Sequence, residues 1–186
     1  MEVRMLKKVL FLFTIGLIVS GIFFLNVAPK DDLEEIQKAV MALEQPELKV
    51  AHIEVLEKNK AIAFYEWGHG EYSSFGNVIL EKTFLGWDIV RGGSLYLLED
   101  SKLNWGHLEL DNLTSYTDLL RGKITDPEIE KIQVITKDGN EYKARVIKYN
   151  NDERFWFLIA NEDLLNATVT GFSFEGDVIE DIQTNY

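Results

Sequence analysis

Lys49–Thr83 reads KVAHIEVLEKNKAIAFYEWGHGEYSSFGNVILEKT, and its period decides the fold. From Lys49 onward the repeat of apolar residues changes from 3.6 to 2, and Val, Ile, Phe, Tyr and Trp, which fit a pleated surface, dominate. The spacing predicts strands at Val50–Leu56, Ala61–Trp67 and Phe75–Thr83, with turns at Asn59-Lys60 and Gly68-His69-Gly70. Joints this short connect antiparallel neighbours.

The same pattern continues to the C-terminus. Strands are expected at Trp87–Arg91, Leu95–Glu99, Trp105–Leu110, Ile129–Thr136, Tyr142–Tyr149, Arg154–Ile159, Thr168–Phe174 and Val178–Ile182. Turn chemistry separates them at Gly92-Gly93, Asp138-Gly139-Asn140, Asn150-Asn151-Asp152 and Glu175-Gly176-Asp177. The predicted class is mainly β, an antiparallel meander folded as a sandwich or partly closed barrel. One long irregular stretch, Asp111–Asp126, has room for a helical turn around Tyr116–Leu120, and loops of that length are often functional.

Upstream the period is helical. Asp31 to Gln45 reads as a short amphipathic helix in which Asp32 caps the first turn, Glu34 and Glu35 favour its positive end, and Leu33, Ile36, Val40, Met41 and Leu43 form a stripe. Pro46 ends it. The stripe favours packing on the domain over service as a stalk.

Before that helix lies Val9–Val27, VLFLFTIGLIVSGIFFLNV, 19 residues without a charge, of which 14 are Val, Leu, Ile or Phe. As a helix rising about 1.5 Å per residue it reaches ~28 Å, close to the ~30 Å hydrocarbon core of a bilayer. Arg4, Lys7 and Lys8 precede it, while Lys30 is followed by Asp31, Asp32, Glu34 and Glu35, so the basic flank stays in the cytoplasm and the chain after Ala28 faces outward. A cleaved secretory signal shares the basic and apolar regions, though its apolar part is typically ~7–15 residues; it leaves a secreted product as the alternative. The expected organisation is a basic cytoplasmic flank at 1–8, a transmembrane anchor or signal region at 9–28, a juxtamembrane helix at 29–48 and an extracytoplasmic all-β domain at 49–186.

Charge sets limits on partners. The chain of 186 residues carries 19 Lys and Arg against 31 Asp and Glu; past residue 8 remain 16 of the basic and 30 of the acidic ones, a balance of −14. Long-range repulsion then argues against nucleic acid and anionic polymers. With no cysteine, the chain has neither disulfides nor the lipid-modified cysteine of a lipoprotein.

The densest group of reactive and aromatic side chains is Tyr65-Glu66-Trp67-Gly68-His69-Gly70-Glu71-Tyr72. A ligand-binding reading puts Trp67, His69 and Tyr72 at the rim of a pocket, with Glu66 or Glu71 placed for ligand contact or proton transfer. The plainer reading is a hairpin whose aromatics pair across strands. His107 and Glu109 alternate on one strand, with His52 or His69 as a third group, but no close histidine pair marks a zinc site, and neither metal nor cofactor is expected. Asp138–Glu141 and Glu175–Asp177 lack the ladder of a calcium loop, and Gly122–Glu128 lacks the upstream glycine of a phosphate loop. No catalytic residue is assigned. Within the apolar segment, Gly16 and Ser20 have a small-xxx-small spacing that lets two membrane helices approach closely.

Four blocks in order, Ala63-Phe64-Tyr65-Glu66, Phe84-Leu85-Gly86-Trp87 with Gly92-Gly93, Gly122-Lys123-Ile124-Thr125-Asp126-Pro127-Glu128-Ile129, and Phe155-Trp156-Phe157, resemble small uncharacterised proteins of Bacillus-type Gram-positive bacteria that carry an N-terminal membrane or lipoprotein segment. The resemblance runs from about Lys49 to the C-terminus. It implies an address in the cell envelope and no site residue, and the absent cysteine departs from the lipoprotein-type members. The expected function is a membrane-tethered, non-catalytic binding or assembly domain whose partner is an envelope protein or cell-wall ligand. The alternatives are an envelope glycan or peptide hydrolase using carboxylates near Trp67 and His69, and a regulatory or sensor subunit pairing through Gly16 and Ser20.

Overall fold

The computed structural model describes residues 31–68, 73–95, 97, 101–111, 113–150 and 152–185. Among the described residues one helix, α1 (Asp32–Met41), precedes twelve strands: β1 (Lys49–Glu57), β2 (Lys60–Trp67), β3 (Ser74–Thr83), β4 (Gly86–Leu95), β5 (Gly106–Glu109), β6 (Asp118–Ile124), β7 (Lys131–Ile135), β8 (Glu141–Lys143), β9 (Arg145–Tyr149), β10 (Glu153–Ala160), β11 (Thr168–Phe172) and β12 (Val178–Gln183). They form three antiparallel sheets of four strands, ordered β1-β2-β3-β4, β5-β6-β10-β9 and β12-β11-β7-β8. The mainly β, antiparallel expectation holds. Only the first sheet is a complete meander, and three stacked sheets stand where a sandwich or partly closed barrel was expected; among the described residues no barrel closes.

Strand alternation explains the stack. On β10, Phe155 and Phe157 point to the first sheet, where they meet Phe64 and Phe75, while Trp156, Leu158 and Ala160 point to the third, where they meet Ile132, Val134 and Val169. The second sheet is thus buried on both faces, and all seven residues of β6 are buried. The outer face of the first sheet takes α1: Ile36 and Val40 pack on Ala61, Ala63, Val78 and Leu80. The layers run α1, first sheet, second sheet, third sheet.

Several sequence expectations change. The N-cap is Asp31, whose side chain accepts the Leu33 N–H at 3.0 Å, and not Asp32, which turns to Lys82 and Trp87. The helix packs as its stripe implied, but it ends at Met41 and leaves Leu33 and Met41 half exposed. Gly92-Gly93 is no turn: β4 runs through it, and the glycines are there for close approach, since a Cβ on Gly93 would stand 2.9 Å from Arg121 Nη2. The stretch around Tyr116–Leu120 contains no helical turn and leads into β6, a central strand disguised by Asp118, Arg121, Gly122 and Lys123. Tyr142–Tyr149 breaks at Ala144, where the chain passes from the third sheet to the second.

Among the described residues no helix is long and apolar enough to cross a membrane. The apolar segment Val9–Val27, with Gly16 and Ser20, lies outside the described residues, as do His69, Glu71 and Tyr72.

Candidate functional site

Glu66, singled out in the sequence, stands beside Lys123 of β6. β2 alternation aims Glu66 at the second sheet, as it does Ile62 and Phe64. Lys123 Nζ donates to Glu66 Oε2 at 3.0 Å, to Glu153 Oε2 at 2.7 Å and to the Tyr149 hydroxyl, and lies 4.8 Å from the Tyr149 ring centroid. Tyr149 in turn donates to Glu66 Oε2 at 2.5 Å. Lys123 is nearly buried, so its three donors are all engaged within the protein.

The electrostatics follow from that closure. Burial pushes the Tyr149 hydroxyl far above its ordinary value, and its bond to the Glu66 carboxylate and the nearby negative charge push it the same way. At Glu153 burial acts upward, but contacts with Glu66, Lys123 and Tyr149 outweigh it and hold the carboxyl below its usual range. A second cross-sheet group repeats the design: Glu54 of β1 meets Arg145 of β9 at 2.6 Å and His52 at 3.0 Å. Burial would raise the Glu54 carboxyl; the bonds from His52 and Arg145 lower it. These groups satisfy one another across the seam of two sheets, which is what an internal fastener requires.

Trp67 points the other way. It packs with Tyr65, ring centroids 5.2 Å apart, on the α1 side of the first sheet, so adjacent strand positions keep Glu66 and Trp67 from sharing one pocket rim. His52 stacks among Phe64, Phe155 and Phe157. His107 stands 2.9 Å from Asp118 Oδ2, and the same carboxylate oxygen accepts the Leu164 N–H at 2.7 Å. Among the described residues no group of three or more His, Asp or Glu is placed to hold a metal ion.

The feature that sequence reasoning missed is a groove of about 510 Å³ at the corner where β8 turns into β9. Its apolar floor is Ile132, Ala144, Val146 and Phe172. Lys131, Lys143, Glu130 and Gln133 form a polar rim. It exists because the chain changes sheets at Ala144, whose N–H bonds Ile132 O at 3.0 Å, and the two sheets open there. No signal in the sequence marked it: Tyr142, Ala144 and Val146 alternate with Lys143 and Arg145 as in an ordinary strand interior.

No family profile, curated protein or solved structure matches the chain.

Proposed function

We propose that the chain is a membrane-tethered binding or assembly domain, held on the outer face of a cell membrane, that takes an envelope protein or wall ligand in the groove at the β8–β9 corner. The carrying observation is the joining of two features: an uncharged 19-residue segment ends at Val27, and from Asp31 the chain is a capped helix packed on the β body. Three residues separate them, so the body sits against the bilayer rather than on a long stalk. An apolar floor with a mixed-charge rim is the usual composition of a binding concavity. The net charge of −14 beyond residue 8 argues against nucleic acid as the partner.

The Glu66 and Glu153 carboxylates are engaged by Lys123 and Tyr149, which favours a structural role for them over envelope hydrolysis. Alkaline carbonate extraction tests the tether: the full chain stays with the membrane pellet, and release into the supernatant would overturn the reading. A photo-crosslinker at Lys143, on the groove rim, should give a discrete adduct in intact cells that the same group at Lys58, on the β1–β2 turn, does not give. Identical patterns from both positions would remove the groove from the proposal.

A further inference from the structure

The β3–β4 hairpin ends in Phe84 and Leu85, which are 82% and 87% exposed. Hairpin tips are normally built from Gly, Asn, Asp or Ser, because those residues suit the backbone and prefer water. Other tips of this chain obey: Lys58-Asn59, Lys137 to Asn140, and Asn150 to Asp152 are polar. Phe174, in the β11–β12 turn, is 80% exposed as well, with Lys131 Nζ 5.8 Å from its ring centroid. At the β3–β4 tip the special backbone requirement is met by Gly86, at φ +135, and Thr83 closes the turn through Leu85 N at 3.2 Å and Gly86 O at 3.0 Å. The tip positions themselves were therefore free to be polar.

The tip also has a defined place. Lys82 Nζ lies 2.5 Å from Asp32 Oδ1, Trp87 Nε1 donates to the same oxygen at 3.2 Å, and Glu35 Oε2 is 4.0 Å from where a Cβ on Gly86 would stand. The hairpin is pinned to the first turn of α1 through Asp32. Only Ala28, Pro29 and Lys30 lie between Val27 and Asp31, a span of at most about 14 Å. The first turn of α1, which holds the base of this hairpin, therefore starts within that span of Val27.

From this we infer that the Phe84-Leu85 tip inserts into the lipid bilayer beside the anchor, giving the body two points of attachment. The inference rests on the tethered reading above and extends it. Two apolar side chains bind a membrane weakly when free, but tethering makes the contact intramolecular and so raises its effective concentration. The contact is apolar, and the surrounding Asp31, Asp32, Glu34 and Glu35 give it no preference for anionic headgroups.

The chain has no cysteine, so single cysteines can be placed cleanly. Full-length Leu85→Cys and, as a control on the far sheet, Val178→Cys are labelled with a nitroxide and reconstituted into phosphatidylcholine vesicles; flotation is followed by collision with oxygen and with a water-soluble nickel chelate. The ratio of oxygen to nickel collisions at position 85 should exceed that at 178 at least fivefold and change less than twofold when anionic lipid is added. Equal ratios in a protein that floats would overturn the tip insertion and leave the tether standing. Failure to float would overturn the tether and the tip together. A label at 85 shielded from both reagents would mean that a second copy covers the tip, which also overturns the inference.

Discussion

The second sheet makes two seams from one strand, and they are held by different means. Toward the first sheet, β10 presents Phe155 and Phe157 to Phe64 at 5.0 and 4.8 Å, and the seam is fastened by charges that cross it, Lys123 to Glu66 and Arg145 to Glu54. Toward the third sheet the packing is mostly aliphatic, and the polar groups hold backbone beside two pairs, Arg154–Glu130 at 3.7 Å and His107–Asp118 at 2.9 Å. Arg154 donates to Ile129 O and Asp126 O at 2.6 Å each, Trp156 Nε1 donates to Asn104 O at 3.1 Å, and Asp118 accepts Leu164 N–H. Charges that meet charges fix how two sheets sit on each other and depend on pH; side chains that hold carbonyls fix the course of loops. The first seam should respond to protonation much more than the second.

The largest expected effect comes from taking the cation out of the first seam. Lys123→Met leaves Glu66 and Glu153 facing each other and should cost about 3–5 kcal/mol of unfolding free energy in a denaturant titration. Adding Glu66→Leu and Glu153→Gln should recover most of that loss, because removing a whole buried network is far milder than orphaning half of it. No recovery would show that Lys123 acts through packing alone.

The pH dependence follows next. Glu54 and Glu153 have folded values below their unfolded ones, so their contribution is present above about pH 4.5 and is lost as pH falls through the folded values. Tyr149 is raised, so its contribution is full below about pH 10 and is lost as pH climbs beyond it. Thermal unfolding between pH 8 and 11.5 should therefore show a shallower fall in Tm for Tyr149→Phe than for the natural chain, with a residual slope from Tyr65 and Tyr142, whose hydroxyls are also raised. Equal slopes would place Tyr149 outside the fastener.

In the second seam, Trp156→Phe removes the donor to Asn104 O, a buried bond whose loss should cost about 1–3 kcal/mol without altering the pH profile. A changed acid or alkaline limb would break the contrast between the seams. The smallest effect is expected at Arg145, which is half exposed: Arg145→Ala should cost about 0.2–1 kcal/mol and depend on salt.

The strands of the first sheet were legible because Ala61–Trp67 and Phe75–Thr83 are apolar or alternate cleanly, and short turns left them no other pairing. β6 was illegible for a physical reason. A strand buried on both faces usually reads as a continuous apolar run, and Asp118-Leu-Leu-Arg-Gly-Lys-Ile124 carries three charges, of which Asp118 and Lys123 meet His107 and Glu66 on other strands. Gly92-Gly93 misled in the opposite sense: local turn chemistry yielded to the space needed by Arg121 across the seam. At the candidate site, Glu66 was visible as part of a reactive cluster, yet its partners came from β6, β9 and β10, which no spacing along the chain discloses. The groove arose from a change of sheet at Ala144, a tertiary event without a sequence mark.

In the proposed function, Val9–Val27 holds an anionic β body outside the membrane. The most direct measurement is labelling of full-length Val178→Cys in intact spheroplasts with a membrane-impermeant maleimide, position 178 being exposed on the sheet farthest from α1. Labelling as complete before lysis as after it is the expected result, with the labelled chain in the membrane fraction. Labelling that occurs only after lysis would contradict the account.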